Sequence, residues 1–313
     1  MLDVAFPPPK KFAVKLDFVY GYSSCYLRIN LATTMTTTPI SVVVPAHNAE
    51  RFVAQAIQSV QAQTLKVAEI ILIDNDCSDQ TPEIARELGV TVVKEERRGL
   101  SIARNAGICA STQEWIAFLD ADDWWAPNKI ELQWRAIEEF PNAALVSCDN
   151  YFARDGSITP LSEEIVHSRW NKMSERLIHG KHCTLIPEAP GDMLNRFCPL
   201  SPTAVIRRDV FSAVGFFDED LGYNDELECF MRIMARYPLA IVELPLVYCR
   251  LHDNNRSRNL EGKQIAYVQI ANLMLKHPER YPPGAGQIQA QELKLIFHNV
   301  ERNILRNRNT SGL

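Results

Sequence analysis

The stretch WIAFLDADDWW, residues 115 to 125, runs a short apolar segment straight into three aspartates, Asp120, Asp122 and Asp123, and then into two tryptophans. A brief apolar run that stops at acidic residues reads as a buried strand ending at a polar edge. On either side of it, β-branched runs alternate with amphipathic windows, the signature of βαβ units around a largely parallel sheet. ISVVVPAHN (40–48), AEIILIDND (68–76), VTVVKEE (90–96), WIAFLDADD (115–123) and AALVSCDNYF (143–152) are five successive strands. Between them, ERFVAQAIQSVQAQ (50–63) places Phe52, Val53, Ala56, Ile57 and Val60 on one helical face. TPEIARELG (81–89) is a helix opened by Pro82 and closed by Gly89, LSIARNAGICA (100–110) is another, and NKIELQWRAIEEF (128–140) carries Ile130, Trp134, Ile137 and Phe140 along one side.

Downstream the rhythm changes. Residues 153 to 200 mix Pro, Gly, His and charge without a period, too long for an ordinary connection. The block from Pro202 to Asn255 then offers a strand, two helices and a final strand, and the tail from Gly262 is helical by period, with Leu293, Ile296, Val300 and Ile304 on one face and Arg302, Arg306 and Arg308 nearby. With 313 residues and 46% apolar content the chain can bury a substantial core. Its net charge of -5 argues against a nucleic-acid partner, which needs a concentrated basic face. Eight cysteines (25, 77, 109, 148, 183, 198, 229 and 249) form no CxxC pair and read as reduced core filler. No apolar run is long enough to span a bilayer, and residues 1–34 lack the pattern of a signal peptide; the folded part is expected to begin near Met35.

In open α/β sheets the ligand crevice lies beyond the carboxyl ends of the strands. Those ends carry Pro45, Ala46, His47 and Asn48; Asp74, Asn75 and Asp76; and Asp120, Ala121, Asp122 and Asp123. So many carboxylates repel one another unless they bind a cation or accept hydrogen bonds, and Mg²⁺ or Mn²⁺ with open positions for a phosphate-bearing ligand is an economical solution. A helix cap with a solvated turn is the plainer reading of the same residues. An apolar strand ending D-x-D also resembles the nucleophile strand of haloacid-dehalogenase-type phosphatases, although Trp124 stands where those enzymes carry Thr or Val. No glycine-rich dinucleotide or P-loop motif is present.

SVVVPAHNAE (41–50), IILIDNDCSDQT (70–81), GLSIARNAGICAS (99–111) and WIAFLDADDWW occur in the order and at the spacing of the family-2 glycosyltransferases, and over residues 40 to 255 the chain resembles them. The resemblance implies a GT-A fold, a Rossmann-like α/β sandwich with a mostly parallel central sheet flanked by helices, plus C-terminal helices. It implies a nucleotide-sugar donor held by Pro45, Ala46, Asn48, Asp74, Asn75, Arg104, Asp120 and Ala121, with Asp122 on a Mn²⁺ or Mg²⁺ ion that bridges the diphosphate. Family members often carry D-D-G-S-T-D where this chain has Asp74 to Asp79, so Asn75 replaces an expected carboxylate; its amide can still meet a pyrimidine edge, and a UDP-sugar is the default donor, with dTDP and GDP as alternatives.

The family's catalytic base lies in an acidic pair ahead of a helix, after a G-F-D-E segment. Here GFFDED (215–220) precedes YNDELECFMRI (223–233), and the spacing back from Arg232 falls on Glu226, with Asp225 as the second candidate. A solvated helix start is the alternative use of this pair. A base attacking opposite the leaving group implies inversion at the anomeric carbon. YCRLHDNNRSRN (248–259) resembles the family's Y-R-x-H segment, which puts His252 at the metal or diphosphate and Arg250, Arg256 and Arg258 near phosphates; Trp124 and Trp125 are candidates for a sugar-stacking wall or for core packing. The expected organisation is an extension over 1–38, a donor half over 39–152, an acceptor and catalytic half of the same domain over 153–258, and a helical tail over 259–313. The acceptor is expected to be a glycan or lipid-linked saccharide. The place of action is cytoplasmic, with the basic face around Arg302 to Arg308 either an ordinary packed helix or a peripheral contact with the inner face of the plasma membrane. A phosphatase, a nucleotidyltransferase and a donor-binding scaffold without turnover are the competing functions.

Overall fold

The computed structural model describes residues 15–16, 29–30, 37–154, 157–160, 177–188, 199–253, 255–256, 259–288 and 290. Cys25, Cys198, Arg258, most of 153–200 and the periodic face from Leu293 to Arg308 lie outside the described residues. The chain divides into two units, Met1–Thr37 and Thr38–Leu313. In the first, β1 (Lys15–Leu16) pairs antiparallel with β2 (Ile29–Asn30).

The larger unit is built on β3 (Thr37–Ala46), β4 (Lys66–Asn75), β5 (Thr91–Glu95), β6 (Trp115–Phe118), β7 (Trp124–Trp125), β8 (Leu145–Arg154), β9 (Ser157–Pro160), β10 (Ile178–His179), β11 (Thr184–Ile186), β12 (Val205–Arg207) and β13 (Leu239–Arg250). Across the sheet the order is β10, β11, β13, β8, β12, β6, β3, β4, β5, with β7 beside β13 and β9 beside β8. β3 with β6, β4 with β5, and β8 with β13 run parallel, while β12 is inserted antiparallel between β6 and β8. Two parallel blocks are thus welded by one short reversed strand.

Period-two alternation sends side chains to both faces, as a sheet covered on two sides requires. Val43, Ile71, Ile73, Ile116 and Phe118 join one core cluster, and Val42, Val44, Leu72, Ala117 and Leu119 join the other. The second is covered by α1 (Val53–Gln61) and α4 (Lys129–Glu139); the first by α3 (Leu100–Ala110), α5 (Val210–Val214), α6 (Asp225–Met234) and α7 (Leu260–Lys276). α2 (Thr81–Glu87) contributes Ala85 beside α1. A Cβ at Gly107 would stand 2.2 Å from a Val43 methyl, so α3 lies closer to β3 than any other residue permits. That approach puts Arg104, one turn earlier, beneath the strand ends.

Three local expectations change. The strand of residues 115–123 stops at Phe118, and the chain reverses through Asp120–Asp123, where Asp123 N–H donates to the Asp120 carbonyl at 3.0 Å, before Trp124–Trp125 pairs with β13. The helix expected from residue 50 begins only at Val53, leaving Phe52 at its cap. The tail helix starts at Leu260, where the Asn259 side chain caps it by accepting from Gly262 N–H at 2.9 Å. Among the described residues no helix is long and apolar enough to cross a membrane.

Candidate active site

A cavity of about 1190 Å³ opens beyond the carboxyl ends of β3, β4 and β6, where the sheet's crossovers leave a crevice. Its floor is the reversal after β6. Asp123, 6% exposed, is inside that turn and accepts from Arg250 N–H at 2.8 Å; burial, with the charges of Asp122 and Asp120 beside it, pushes its carboxyl well above the usual range. Asp123 is therefore a structural acid. Asp122 faces the cavity, and its Oδ2 meets His252 Nε2 at 3.0 Å.

Arg250 closes the same turn from above. Its Nε donates to the Asp122 carbonyl at 2.9 Å, its Nη2 donates to Gln55 Oε1 at 2.5 Å, and its guanidinium carbon lies 4.8 Å from the centre of the Phe52 ring and 4.6 Å from that of Trp124. Phe52 also stacks on His252, ring centres 5.1 Å apart. Trp124 stacks on Tyr248 at 5.0 Å, and Tyr248 on Tyr151 at 4.9 Å. Trp125 is 2% exposed and donates its indole N–H to the Pro202 carbonyl, which is core packing.

The ends of β3 and β4 form the opposite wall. Asn48, with φ of 51°, turns its side chain so that Oδ1 accepts from Ser78 N–H at 2.8 Å, and His47 Nδ1 lies 2.9 Å from the Asn75 carbonyl. The amide of Asn75 is committed to main chain: Nδ2 donates to the Arg97 carbonyl at 2.7 Å and the Glu95 carbonyl at 3.4 Å, while Oδ1 accepts from Gly99 N–H at 2.9 Å. A carboxylate could make only the last of these bonds. Asn75 thus staples the loop of residues 95–99, which brings Arg98 and Gly99 to the cavity wall. Asp74 closes its own turn by accepting from Cys77 N–H at 2.9 Å.

Beneath the floor, Arg104 is 2% exposed and gathers three carboxylates: Asp225 at 2.7 Å, Glu226 at 3.3 Å and Asp120 at 3.5 Å. Burial costs the guanidinium its hydration, but the three anions more than restore its charge and raise its pKa. Burial alone would raise Asp225 too; the charge and hydrogen bond of Arg104 hold it below the usual carboxylate range. Glu226 moves the other way, to about 7, because burial and the neighbouring Asp225 charge outweigh the more distant pull of Arg104. Asp120 is raised by burial and by the charges of Asp122 and Asp225, against Arg104. Adjacent carboxyls at the start of α6 are driven apart in pKa, and the one poised near neutrality keeps 23% of its side chain exposed.

Pro45, Ala46, Asn48, Asn75, Asp120, Ala121, Asp122 and His252 all line the cavity, whereas Asp74, Arg104, Asp225 and Glu226 are not among its lining residues, although Glu226 keeps 23% of its side chain exposed. Phe52, Arg51, Arg98 and Leu100 also line it. Helical spacing made Phe52 read as a core residue, and only its position ahead of the first turn, after Glu50 and Arg51, hinted otherwise. Asp122 and His252 supply one carboxylate oxygen and one imidazole nitrogen at a single point, a donor pair that suits Mn²⁺ or Mg²⁺ when phosphate oxygens and water complete the shell. Among the described residues no group of three or more His, Cys, Asp or Glu side chains is placed to hold a metal, so such an ion would depend on the ligand for most of its coordination.

The family model described as "Glycosyl transferase family 2" matches residues 41–215. An uncharacterized glycosyltransferase of Rickettsia typhi is 26% identical over 248 residues, covering 76% of this chain and 71% of that one. The putative glycosyltransferase EpsH of Bacillus subtilis is 35% identical over 124 residues, 38% of this chain and 35% of its own length. Among solved structures, the mannosyltransferase PcManGT of Pyrobaculum calidifontis, in complex with GDP-Man and Mn²⁺, superposes with a TM-score of 0.58 at 18% identity, over 82% of this chain and 69% of that one. S. aureus TarS 1-349 in complex with UDP-GlcNAc gives 0.58 at 18% identity over 75% and 66%.

Proposed function

Because this chain belongs to glycosyl transferase family 2, and so is a glycosyltransferase of the GT-A fold, we propose that it moves a sugar from a nucleotide-sugar donor to an acceptor hydroxyl with inversion, with Glu226 as base. The observation that carries this reading is Arg104, which ties the Asp120 end of the cavity floor to the Asp225–Glu226 pair in one buried cluster.

The donor lies in the cavity, its nucleoside between the β3 end and the loop stapled by Asn75, and its diphosphate toward Asp122, His252, Arg98 and Arg256. Arginines around the cavity offset the donor's charge in a chain that is acidic overall. Asp122 and His252 would hold Mn²⁺ or Mg²⁺, which when bound supplies Lewis-acid stabilisation of the departing diphosphate. Glu226 takes the proton of the acceptor hydroxyl; a pKa of about 7 leaves it both ionised and basic enough at neutral pH. Asp225, ion-paired to Arg104, stays charged throughout and keeps the pair oriented. Residues 39–152 form the donor half and 153–258 the acceptor and catalytic half. A UDP-sugar is the proposed donor and a glycan or lipid-linked saccharide the proposed acceptor, met at the cytoplasmic face.

The test is calorimetric titration with UDP, dTDP and GDP, with and without Mn²⁺, on the native chain and on Asp122→Asn. The expected result is metal-dependent binding of one nucleotide that weakens at least about tenfold in the variant. Silence toward all three by a folded protein would sink the donor assignment.

A further inference from the structure

By the resemblance Arg250 belongs among the residues that pair with phosphate, and it lines the cavity, yet two edges and both faces of its guanidinium are already engaged. Nε donates to the Asp122 carbonyl, Nη2 donates to Gln55, the plane lies against Phe52 and Trp124, and the residue's own amide donates to Asp123. Phe52 is the shared platform, since its ring contacts both Arg250 and His252, the two residues that grip Asp122 by its main chain and by its carboxylate. The grip joins the start of α1, the reversal after β6 and the end of β13, three segments far apart in sequence.

We propose that Arg250 is a positioning residue rather than a phosphate ligand: seated on Phe52, it fixes the main chain of the Asp120–Asp123 reversal and so aims Asp122 into the cavity. The proposal rests on the reading of Asp122 as the donor-site carboxylate. Its physical basis is the planar fork of arginine, which can stack on a ring and donate along its edge at once; lysine keeps the charge but has no planar fork to reproduce that geometry. A phosphate ligand and a positioning residue therefore respond differently to the same conservative change.

The experiment compares Arg250→Lys, Phe52→Leu, Phe52→Tyr and the Arg250→Lys/Phe52→Leu double variant, each first checked for a native melting transition. Two quantities are read: amide hydrogen exchange at Asp123 in the ligand-free protein, and UDP affinity in the presence of Mn²⁺. Expected are exchange and a dissociation constant each raised about tenfold in Arg250→Lys and in Phe52→Leu, both restored in Phe52→Tyr, with a double variant no worse than the poorer single one. Native exchange and weakened UDP binding in Arg250→Lys, with Phe52→Leu unchanged in both, would make Arg250 a phosphate ligand and overturn the proposal. Native behaviour in every variant would also overturn it. Asp122→Asn, run alongside, separates the two claims: if it binds UDP and Mn²⁺ normally while Asp123 exchange still rises in Arg250→Lys and Phe52→Leu, the positioning holds and the role given to Asp122 fails.

Discussion

Glu226 and Asp225 sit side by side at the start of α6, and Arg104 treats them unequally. It holds Asp225 at 2.7 Å and Glu226 at 3.3 Å; burial and the Asp225 charge, only partly offset by Arg104, raise Glu226 to a pKa of about 7. An acid whose pKa is higher folded than unfolded keeps its proton longer in the folded chain, so stability falls as pH rises from 4.5 to about 7 and then levels off. Glu226→Gln removes that loss: its urea midpoint is expected to exceed the native one at about pH 8, and to match it at about pH 4. The same variant lowers kcat by about 10²–10⁴, and in the native enzyme kcat/KM rises with pH through the region near 7. An active Glu226→Gln would move the base to Asp225. At the other wall, Asn75→Asp deletes both donors of the staple to residues 95 and 97; the expected cost is about 1–3 kcal/mol in chemical denaturation, together with weaker nucleotide binding. Asn75 departs from the family pattern, as Glu226 does in standing where an aspartate is more usual, and its substitution toward that pattern is expected to do harm.

The elements were largely legible in the sequence because period and punctuation act locally: β3 to β5, α2 to α4, β8 and β13 fall where alternation and helical spacing put them, and β6 and α1 occur there but shorter. What escaped was short or depended on distant partners. β10 and β11 have two and three residues, too few for a period, and β7 exists only because β13 offers Val247 and Tyr248 to Trp125 and Trp124. In the site, the strand ends identified the cavity wall, but the commitments of Asn75 to residues 95–99 and of Phe52 to residues 250 and 252 are tertiary facts with no local signature. Gly107 shows the same limit from the helix side: nothing in LSIARNAGICA says which face its missing Cβ must spare. Gly107→Ala is expected to push α3 off β3, costing about 1–3 kcal/mol by urea unfolding and moving Arg104 enough to lower kcat. A fully stable, fully active Gly107→Ala would mean that the helix position is not what sets the buried cluster.

At the scale of the molecule, one sheet holds two parallel blocks, β6 with β3, β4 and β5 in one and β8 with β13 in the other, and β12 is the seam between them. It pairs with β6 on one side and β8 on the other, so without it each block ends in an unpaired strand edge. A fragment ending at residue 160 is therefore expected to lack a cooperative thermal transition and to aggregate, since the bare flank of β6 is an invitation to other strands. Cooperative melting of that fragment would show that the first parallel block closes by itself. The seam has a consequence for birth as well as for form. On the ribosome, β6 emerges long before Val205, and during that interval its hydrogen-bonding edge has no native neighbour; nascent chains must wait, shielded or at risk, for a three-residue strand to arrive. The yield of folded chain is then expected to depend on how fast the stretch between those points is made, and not only on the stability of the finished fold.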